Sequence, residues 1–369
     1  KHAILDKYLY PFAGKTGLLS AGGRVAFVDG YAGPGRYDDG SEGSGALVLR
    51  QAKEIAKIRT GRELVVHLVE RDRPTFERLR VVTAAEGVGV DCTLHQAAFQ
   101  DVSAAICESV RGLPALFYLD PCGLLVTLPE VVSLMNRPKG DAAPTELLLN
   151  FSATSLRRIA GHLTSANGIE ATLRRMDDVC GGAWWRQTWR DHLPDRVAAE
   201  EAVVSGYMGR LAQAIHGAAW AVDVRRRPGL LPLYYLVFVT QHVDGFKVFG
   251  EASSKALEEW RRSLARIDAD GSLMSIDGAW ETEFEEAEKR LSEAWIHAIY
   301  LNLGRIIAEG HPFTVMDKYD EVYGEHVGEA RQMHVRAAWS RAFDAGLVSN
   351  SPRGVKDVLG ATIRPTRPS

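Results

Sequence analysis

The chain has 369 residues, 46% hydrophobic and 25% charged, with a net charge of −3, which is ordinary for a globular protein large enough for two or three well-formed cores. So small a net charge gives no whole-molecule attraction to nucleic acid, and any basic surface has to be local. No stretch is apolar enough to span a bilayer and no signal peptide is evident. The numbering starts on Lys1 rather than Met, so residues upstream of it are expected. The four cysteines, Cys92, Cys107, Cys122 and Cys180, lack C-x-x-C spacing, which argues against a zinc site or a disulfide framework and fits a reducing cytoplasm.

The chain opens with apolar residues Ile4, Leu5, Tyr8 and Leu9 at helical spacing, predicting a helix that ends near Pro11. A short buried strand follows at Val25, Phe27 and Val28. It runs into Asp29-Gly30-Tyr31-Ala32-Gly33-Pro34-Gly35, an acid followed by G-x-x-G-x-G. This is not the G-x-G-x-x-G of a dinucleotide site. A loop with so little side-chain bulk lets backbone N–H groups approach a nucleotide-like ligand, and it is similar to the first motif of class I methyltransferases, which holds S-adenosylmethionine (SAM). The competing interpretation is a glycine-rich strand-to-helix turn with no ligand. The polar stretch Asp38–Ser44 forms either part of a lid or a surface loop, and a helix is expected over 45–58.

The second strand, Glu63–Glu70, is apolar on both faces and ends in an acid about 35 residues past the loop. In nucleotide-binding doubly wound sheets an acid at that place accepts from ribose hydroxyls. A third strand spans Val88–His95, and Ala98 and Phe99 behind it are candidates for an adenine wall, with ordinary packing as the alternative for Phe99. The fourth strand starts at Ala115 and ends in Asp120-Pro121-Cys122-Gly123, so Asp120 should face the same crevice as Asp29 and Glu70. An Asp-Pro step there resembles the motif with which amino-methyltransferases hold an exocyclic amine. The Pro121-Cys122 pair also allows a C5-pyrimidine methyltransferase with Cys122 as nucleophile, although no partner acid or base motif accompanies it. A fifth strand covers 146–151, and Arg157 and Arg158 follow on a helix.

A helical insertion is expected at about 160–200. Its cluster of Trp184, Trp185 and Trp189 with Arg186 and Arg190 reads either as core or as an exposed base-stacking surface, and the spacing favours core. A helix at 198–216 precedes two strands, Val222–Gly229 and Leu233–Thr240, an antiparallel pair of the kind that ends class I methyltransferase sheets. The run Arg225, Arg226, Arg227 at their turn is a candidate backbone-binding patch. A helix from Gly245 to Leu264 and a polar linker at Asp268–Ser272 follow. The domain expectation is a Rossmann-like, doubly wound α/β domain over 1–267 and a second domain over 280–369. The second has helices at 281–309, from Phe313, and at 328–345, the last with Met333, Ala337 and Phe343 inward, and then a two-stranded wing at 346–354 and 361–364. That pattern resembles a winged helix-turn-helix. Arg331, Arg336 and Arg353 are its nucleic-acid candidates, with Lys356, Arg364 and Arg367 nearby.

Several separate stretches together resemble the three-Cys-motif partner family (TcmP): Lys1–Leu9, Val28–Tyr37, Gly43-Ser44, Leu119–Gly123, Gly182–Trp185 and Leu233–His242. The resemblance implies a SAM-dependent methyltransferase fold with a winged-helix tail, SAM as cofactor, and a partner protein with a three-cysteine motif that resembles iron–sulfur radical-SAM proteins. It also implies an aromatic residue where this chain has Cys122, a departure that weakens the nucleophile role. The expectation is then a methyltransferase acting on nucleic acid, DNA or RNA. Asp120, Pro121 and Cys122 would form the catalytic stretch, and Asp29, Gly30, Tyr31, Ala32, Gly33, Gly35, Glu70, Ala98 and Phe99 the cofactor site. No metal site and no membrane partner are expected. The alternative is an inactive Rossmann-like adaptor recruiting DNA or the partner, favoured by the missing final aromatic after Asp-Pro. A nuclease is disfavoured because no suitably spaced carboxylate cluster occurs.

Overall fold

A computed structural model of the chain describes residues 1–58, 61–138, 143–165, 168–270 and 279–366. The protein divides into two compact units, Lys1–Phe246 and Lys247–Ser369.

In the first unit α1 (His2–Thr16) leads into β1 (Arg24–Asp29), α2 (Ser44–Ala56), β2 (Glu63–Val69), α3 (Arg73–Glu86), β3 (Asp91–His95), α4 (Phe99–Ser109), β4 (Ala115–Leu119), α5 (Leu128–Met135) and β5 (Thr145–Phe151). Then come α6 (Ala153–Ala160), α7 (Glu170–Cys180), α8 (Trp184–Asp191), α9 (Arg196–Ile215), β6 (Ala218–Val224) and β7 (Tyr234–Thr240). The strands form one seven-stranded sheet in the order β3-β2-β1-β4-β5-β7-β6. All neighbours from β3 to β5 run parallel, and β7 is antiparallel to both β5 and β6. This is the doubly wound, Rossmann-like arrangement with an antiparallel final strand that the sequence predicts. β1 and β4 are apolar and buried throughout their middles because helices cover both faces.

Helix starts follow local chemistry. The Asp72 carboxylate accepts the Thr75 N–H at 3.0 Å to start α3, and Asp195 accepts from Val197 and Ala198 to start α9. Thr127 and Glu130 form a reciprocal capping box at the start of α5. α1 runs on through Pro11 to Thr16 where a stop was expected. One lost hydrogen bond at the proline is offset by burial of Phe12 and Ala13 beyond it.

The tryptophan cluster is core. Trp185 and Trp189 are 0% and 4% exposed, and Trp185 Nε1 donates to Asp177 Oδ1 at 2.8 Å. Arg186 is held by Asp177 and Glu170, while Arg210 lies over the half-buried Trp184 ring at 3.7 Å. A base-stacking surface is therefore not presented there.

The second unit contains most of α10 (Val243–Asp270), then α11 (Ala279–Ile307), β8 (Phe313–Thr314), α12 (Tyr319–Tyr323), α13 (Gln332–Asp344) and β9 (Thr362–Ile363). α10 therefore counts largely with this unit, whereas the sequence placed it at the end of the first domain. The expected linker supplies the last turn of α10 at Asp268–Asp270, and the rest of it, like Arg367, falls outside the described residues. Phe313 and Thr314 are a strand paired with Ile363 and Thr362, where the sequence suggested the start of a helix. Val348 bridges Pro365. On α13 the buried side chains are His334, Val335, Ala338, Trp339 and Ala342, whereas Met333 and Phe343 are exposed. The inward face is instead the stripe Val335, Ala338, Trp339 and Ala342 at helical spacing, with His334 beside it accepting the Arg331 N–H on Nδ1 at 2.8 Å.

Candidate active site

Strand order reverses between β1 and β4, and the crevice beyond the strand ends at such a reversal is where doubly wound sheets bind ligands. Here it is an opening of about 500 Å³, within the usual range for small-molecule sites. Its walls include Gly30, Tyr31 and Gly33 from the loop after β1, Glu70 and Arg71 after β2, Ala97–Gln100 at the start of α4, Asp120 and Cys122 after β4, and Arg175 from α7.

The glycine loop is held by its own backbone. Gly30 N–H donates to Tyr118 O at 3.0 Å and Ala32 N–H to Val69 O at 2.9 Å. Tyr31 N–H donates to Asp29 Oδ1 at 2.9 Å and Gly33 N–H to Glu70 Oε2 at 3.1 Å. These groups are therefore spent on shaping the loop, where the sequence suggested that they would face a ligand. What the glycines supply is space. A Cβ on Gly30 would sit 2.6 Å from Leu119 and 3.0 Å from the Phe99 ring, whereas one on Gly33 (φ +61) would meet nothing within 4 Å. Gly35 (φ +79) packs against Leu79 and Val82 of α3.

Asp29 lies beneath the loop, fully buried. Burial pushes its carboxyl up to about 7, against the smaller opposing pull of the Ser44 hydroxyl and the Tyr31 N–H. The nearby Ser44 hydroxyl does not complete a bond to Oδ2, which has no hydrogen-bond partner among the described residues.

Glu70 uses one lone pair of Oε2 on Gly33 and one of Oε1 on the Asp72 N–H at 2.7 Å. A carboxylate has about four acceptor positions, so two remain for ligand hydroxyls. Ala98 caps α4 and lines the crevice. Phe99, 4% exposed, is a packing residue whose edge reaches the wall. Tyr31 lies 6.3 Å from the Phe99 ring, and its hydroxyl accepts from Gln100 Nε2 at 3.2 Å.

Asp120 follows β4, with its side chain 13% exposed. Oδ1 accepts from Asn150 Nδ2 at 2.6 Å, and Oδ2 is paired with Lys1 Nζ. Pro121 is buried, and Cys122 is a free, exposed thiol. Among the described residues no group of three His, Cys, Asp or Glu side chains is placed to hold a metal ion, and no helix is long and apolar enough to cross a membrane.

The basic candidates separate. Arg225 donates to Asp223 and to Leu230 O, while Arg226 and Arg227 are exposed at the β6–β7 turn. Arg331 pairs with Glu258 at 3.0 Å. Arg336 donates to Pro352 O and Val355 O at 2.7 and 2.6 Å, and Arg353 is exposed. Lys1, Arg71, Asn150 and Arg175 were not singled out from the sequence. Arg71 and Asn150 were within reach, since each sits where an apolar strand gives way at its carboxyl end.

This sheet, with its strand order and antiparallel β7, defines a class I methyltransferase-like fold. No family model matches the chain and no curated protein matches it, so the three-Cys-motif partner resemblance rests on the residues alone. Among solved structures, a Streptococcus mutans protein assigned as a methyltransferase and solved with SAH is 9% identical, with a TM-score of 0.30 over 63% of this chain and 96% of that one. A geranyl diphosphate methyltransferase solved with its substrate and sinefungin is 12% identical, with a TM-score of 0.28 over 64% and 76%. The same enzyme with SAM gives a TM-score of 0.25 over 62% and 84%, again at 12% identity. Scores this low assign no activity.

Proposed function

We propose that the chain is a SAM-dependent methyltransferase acting on nucleic acid, at an exocyclic amine. The observation that carries this is the placement of Asp120 in the same crevice wall as the Gly30–Gly33 loop and Glu70. The donors and acceptors present suit SAM: an open cradle over Gly33, spare carboxylate acceptors on Glu70 for ribose hydroxyls, and an apolar wall of Val69, Ala97, Ala98 and Phe99. Asp29 supports this set from below by fixing the loop.

SAM when bound supplies an electrophilic methyl group on a sulfonium. The protein's task is to position the acceptor and keep water away. Asp120 accepts a hydrogen bond from the target amine and aims its nitrogen. Cys122 stands in the wall beside Asp120 and has no part in this scheme.

The nucleic-acid part rests on two features. The register Phe151↔Tyr235 between antiparallel β5 and β7 brings the β6–β7 turn, with exposed Arg226 and Arg227, to the sheet edge that carries Asp120. From α11 onward the second unit runs helix–strand–helix–helix–strand, an order compatible with a winged helix-turn-helix, with Arg353 exposed in the segment before β9. The partner with a three-cysteine motif and the cytoplasmic setting rest on the sequence resemblance and cysteine usage.

A second reading, an inactive adaptor, is favoured by one observation: Lys1 and Asn150 already occupy the Asp120 carboxylate. Calorimetric titration of SAM separates the two. Binding that is lost in Glu70→Ala and kept in Asp120→Ala, with labelled methyl transfer to DNA or RNA abolished in Asp120→Ala and kept in Cys122→Ser, is the expected result. A folded protein that does not bind SAM overturns the enzyme reading. Full transfer by Asp120→Ala overturns the role of Asp120.

A further inference from the structure

The occupied state of Asp120 is itself informative about the acceptor. The carboxylate cannot donate, so the group facing its Oδ1 at 2.6 Å has to be the nitrogen of the Asn150 carboxamide. That fixes which way the amide points and leaves Asn150 Oδ1 buried beside the carboxylate, with no partner among the described residues. A buried acceptor left unpaired carries the full cost of its lost hydration, so a ligand N–H that reaches it gains affinity.

The other carboxylate oxygen, Oδ2, holds a primary amine already. Lys1 Nζ, carried on a flexible stem, pairs with it while lying 5.9 Å from the centre of the Tyr234 ring. The Tyr118 hydroxyl lies at 3.5 Å on the same oxygen. The Lys1 side chain is 26% exposed, so it covers the Asp120 carboxylate without being locked in place.

We propose that Asp120 and Asn150 form a recognition station for a primary amine and that Lys1 is a tethered stand-in for the substrate. One N–H of the amine goes to Asp120 Oδ2 and a second to Asn150 Oδ1, so an amine without two N–H groups cannot satisfy the station. Substrate entry is an exchange in which Lys1 swings out and the substrate amine takes its place. The proposal deepens the methyltransferase reading by naming the acceptor class, and it depends on that reading only for what happens to the amine once bound. The same chemistry is offered by an alkylamine and by the exocyclic amine of a nucleobase.

The test is binding of two probes, n-butylammonium chloride and 1-methylcytosine, to the wild-type chain, Lys1→Met and Lys1→Met/Asn150→Ala, each first shown to be folded by its melting profile. A tethered group competes at an effective concentration in the millimolar range, so removing it should tighten binding of a primary amine by about tenfold or more. The gain should vanish in the double variant and be absent for n-butyltrimethylammonium, which has the charge but no N–H. A gain for 1-methylcytosine identifies a nucleobase acceptor, and a gain for n-butylammonium an alkylamine. If neither probe gains in Lys1→Met, or the trimethylated analogue gains equally, the station is refuted. SAM affinity, measured on the same proteins, should not change. A wild-type chain that fails to bind SAM sinks the methyltransferase reading and leaves the amine result to stand or fall alone.

Discussion

The N–H of Gly33 donates to the Glu70 carboxylate at 3.1 Å, tying the loop after β1 to the end of β2. Gly30, three residues earlier, is tied instead to β4 through Tyr118 O. The two glycines should therefore fail differently when a methyl group is added. At Gly30 the new Cβ collides with Leu119 and Phe99, and overpacking of this kind costs about 1–3 kcal/mol. At Gly33 the Cβ enters open space in the crevice wall, and the cost is the strain of the positive φ, about 1–2 kcal/mol. Urea denaturation should show Gly30→Ala as the less stable protein. SAM titration should show Gly33→Ala as the weaker binder for its stability. Equal losses in both assays would mean that the loop does not face the ligand.

Between about pH 4 and pH 7 two sets of buried groups pull the stability of the chain in opposite directions: burial lowers His2, His67 and His334 to about 4, so their share rises with pH, while the share of two buried carboxyls falls. Two fully buried carboxyls are raised to about 7 by desolvation, Asp29 and Glu146, the latter only partly opposed by the hydroxyls of Tyr8 and Thr240. Between their unfolded and folded values these carboxyls bind more protons in the native state than in the unfolded state, so their share of the slope of unfolding free energy with pH is negative. Below about pH 4 both states are protonated and the penalty is absent. Above 7 it is fully developed, at about 1.4 kcal/mol for each tenfold loss of acidity on folding. Asp29→Asn keeps the acceptor for the Tyr31 N–H and removes the titration. On going from pH 4.5 to 7.5 the urea midpoint of the variant should change in the positive direction relative to the wild type, by the loss that Asp29 contributes. An unchanged difference would mean that Asp29 is ionised in the fold.

The main positions of this site were legible because each one ends an apolar run. Asp29, Glu70 and Asp120 interrupt strands buried on both faces, and in a parallel sheet such interruptions gather along one edge. The partners of Asp120 were not legible. Lys1 is 119 residues away in the chain and Asn150 is 30, and no local spacing records that β5 lies beside β4. The buried face of α13 is likewise not given by residue type alone. Met333 and Phe343 look like core and His334 like surface, but the buried stripe is set by Val335, Ala338, Trp339 and Ala342, and His334 beside it turns its Nδ1 to the Arg331 N–H.

Trp185→Ala should destabilise the first unit by about 3–5 kcal/mol, the usual cost of emptying a large buried aromatic site. It would also leave Asp177 without the indole donor. Trp184→Ala, at a half-buried ring covered by Arg210, should cost clearly less. Chemical denaturation followed by far-UV circular dichroism measures both. A Trp185→Ala chain as stable as wild type would mean that this tryptophan is not packed in the core.

Arg336 and Arg353 carry the same charge in the same unit and should behave oppositely. Arg336 spends two nitrogens on the carbonyls of Pro352 and Val355, so it shapes the segment before β9 from inside. Arg336→Ala should speed amide exchange in residues 352–360 and lower the melting temperature. Arg353 is exposed, and Arg353→Ala should leave the melting temperature unchanged. If that segment meets a phosphate backbone, Arg353→Ala should weaken binding to all sequences alike and reduce the slope of log affinity against log salt by about 1. Fluorescence anisotropy with a labelled duplex at several salt concentrations reads that slope. A slope identical to wild type would remove Arg353 from the nucleic-acid surface and leave the exposed Arg226 and Arg227 at the β6–β7 turn as the basic candidates to be tested in the same way.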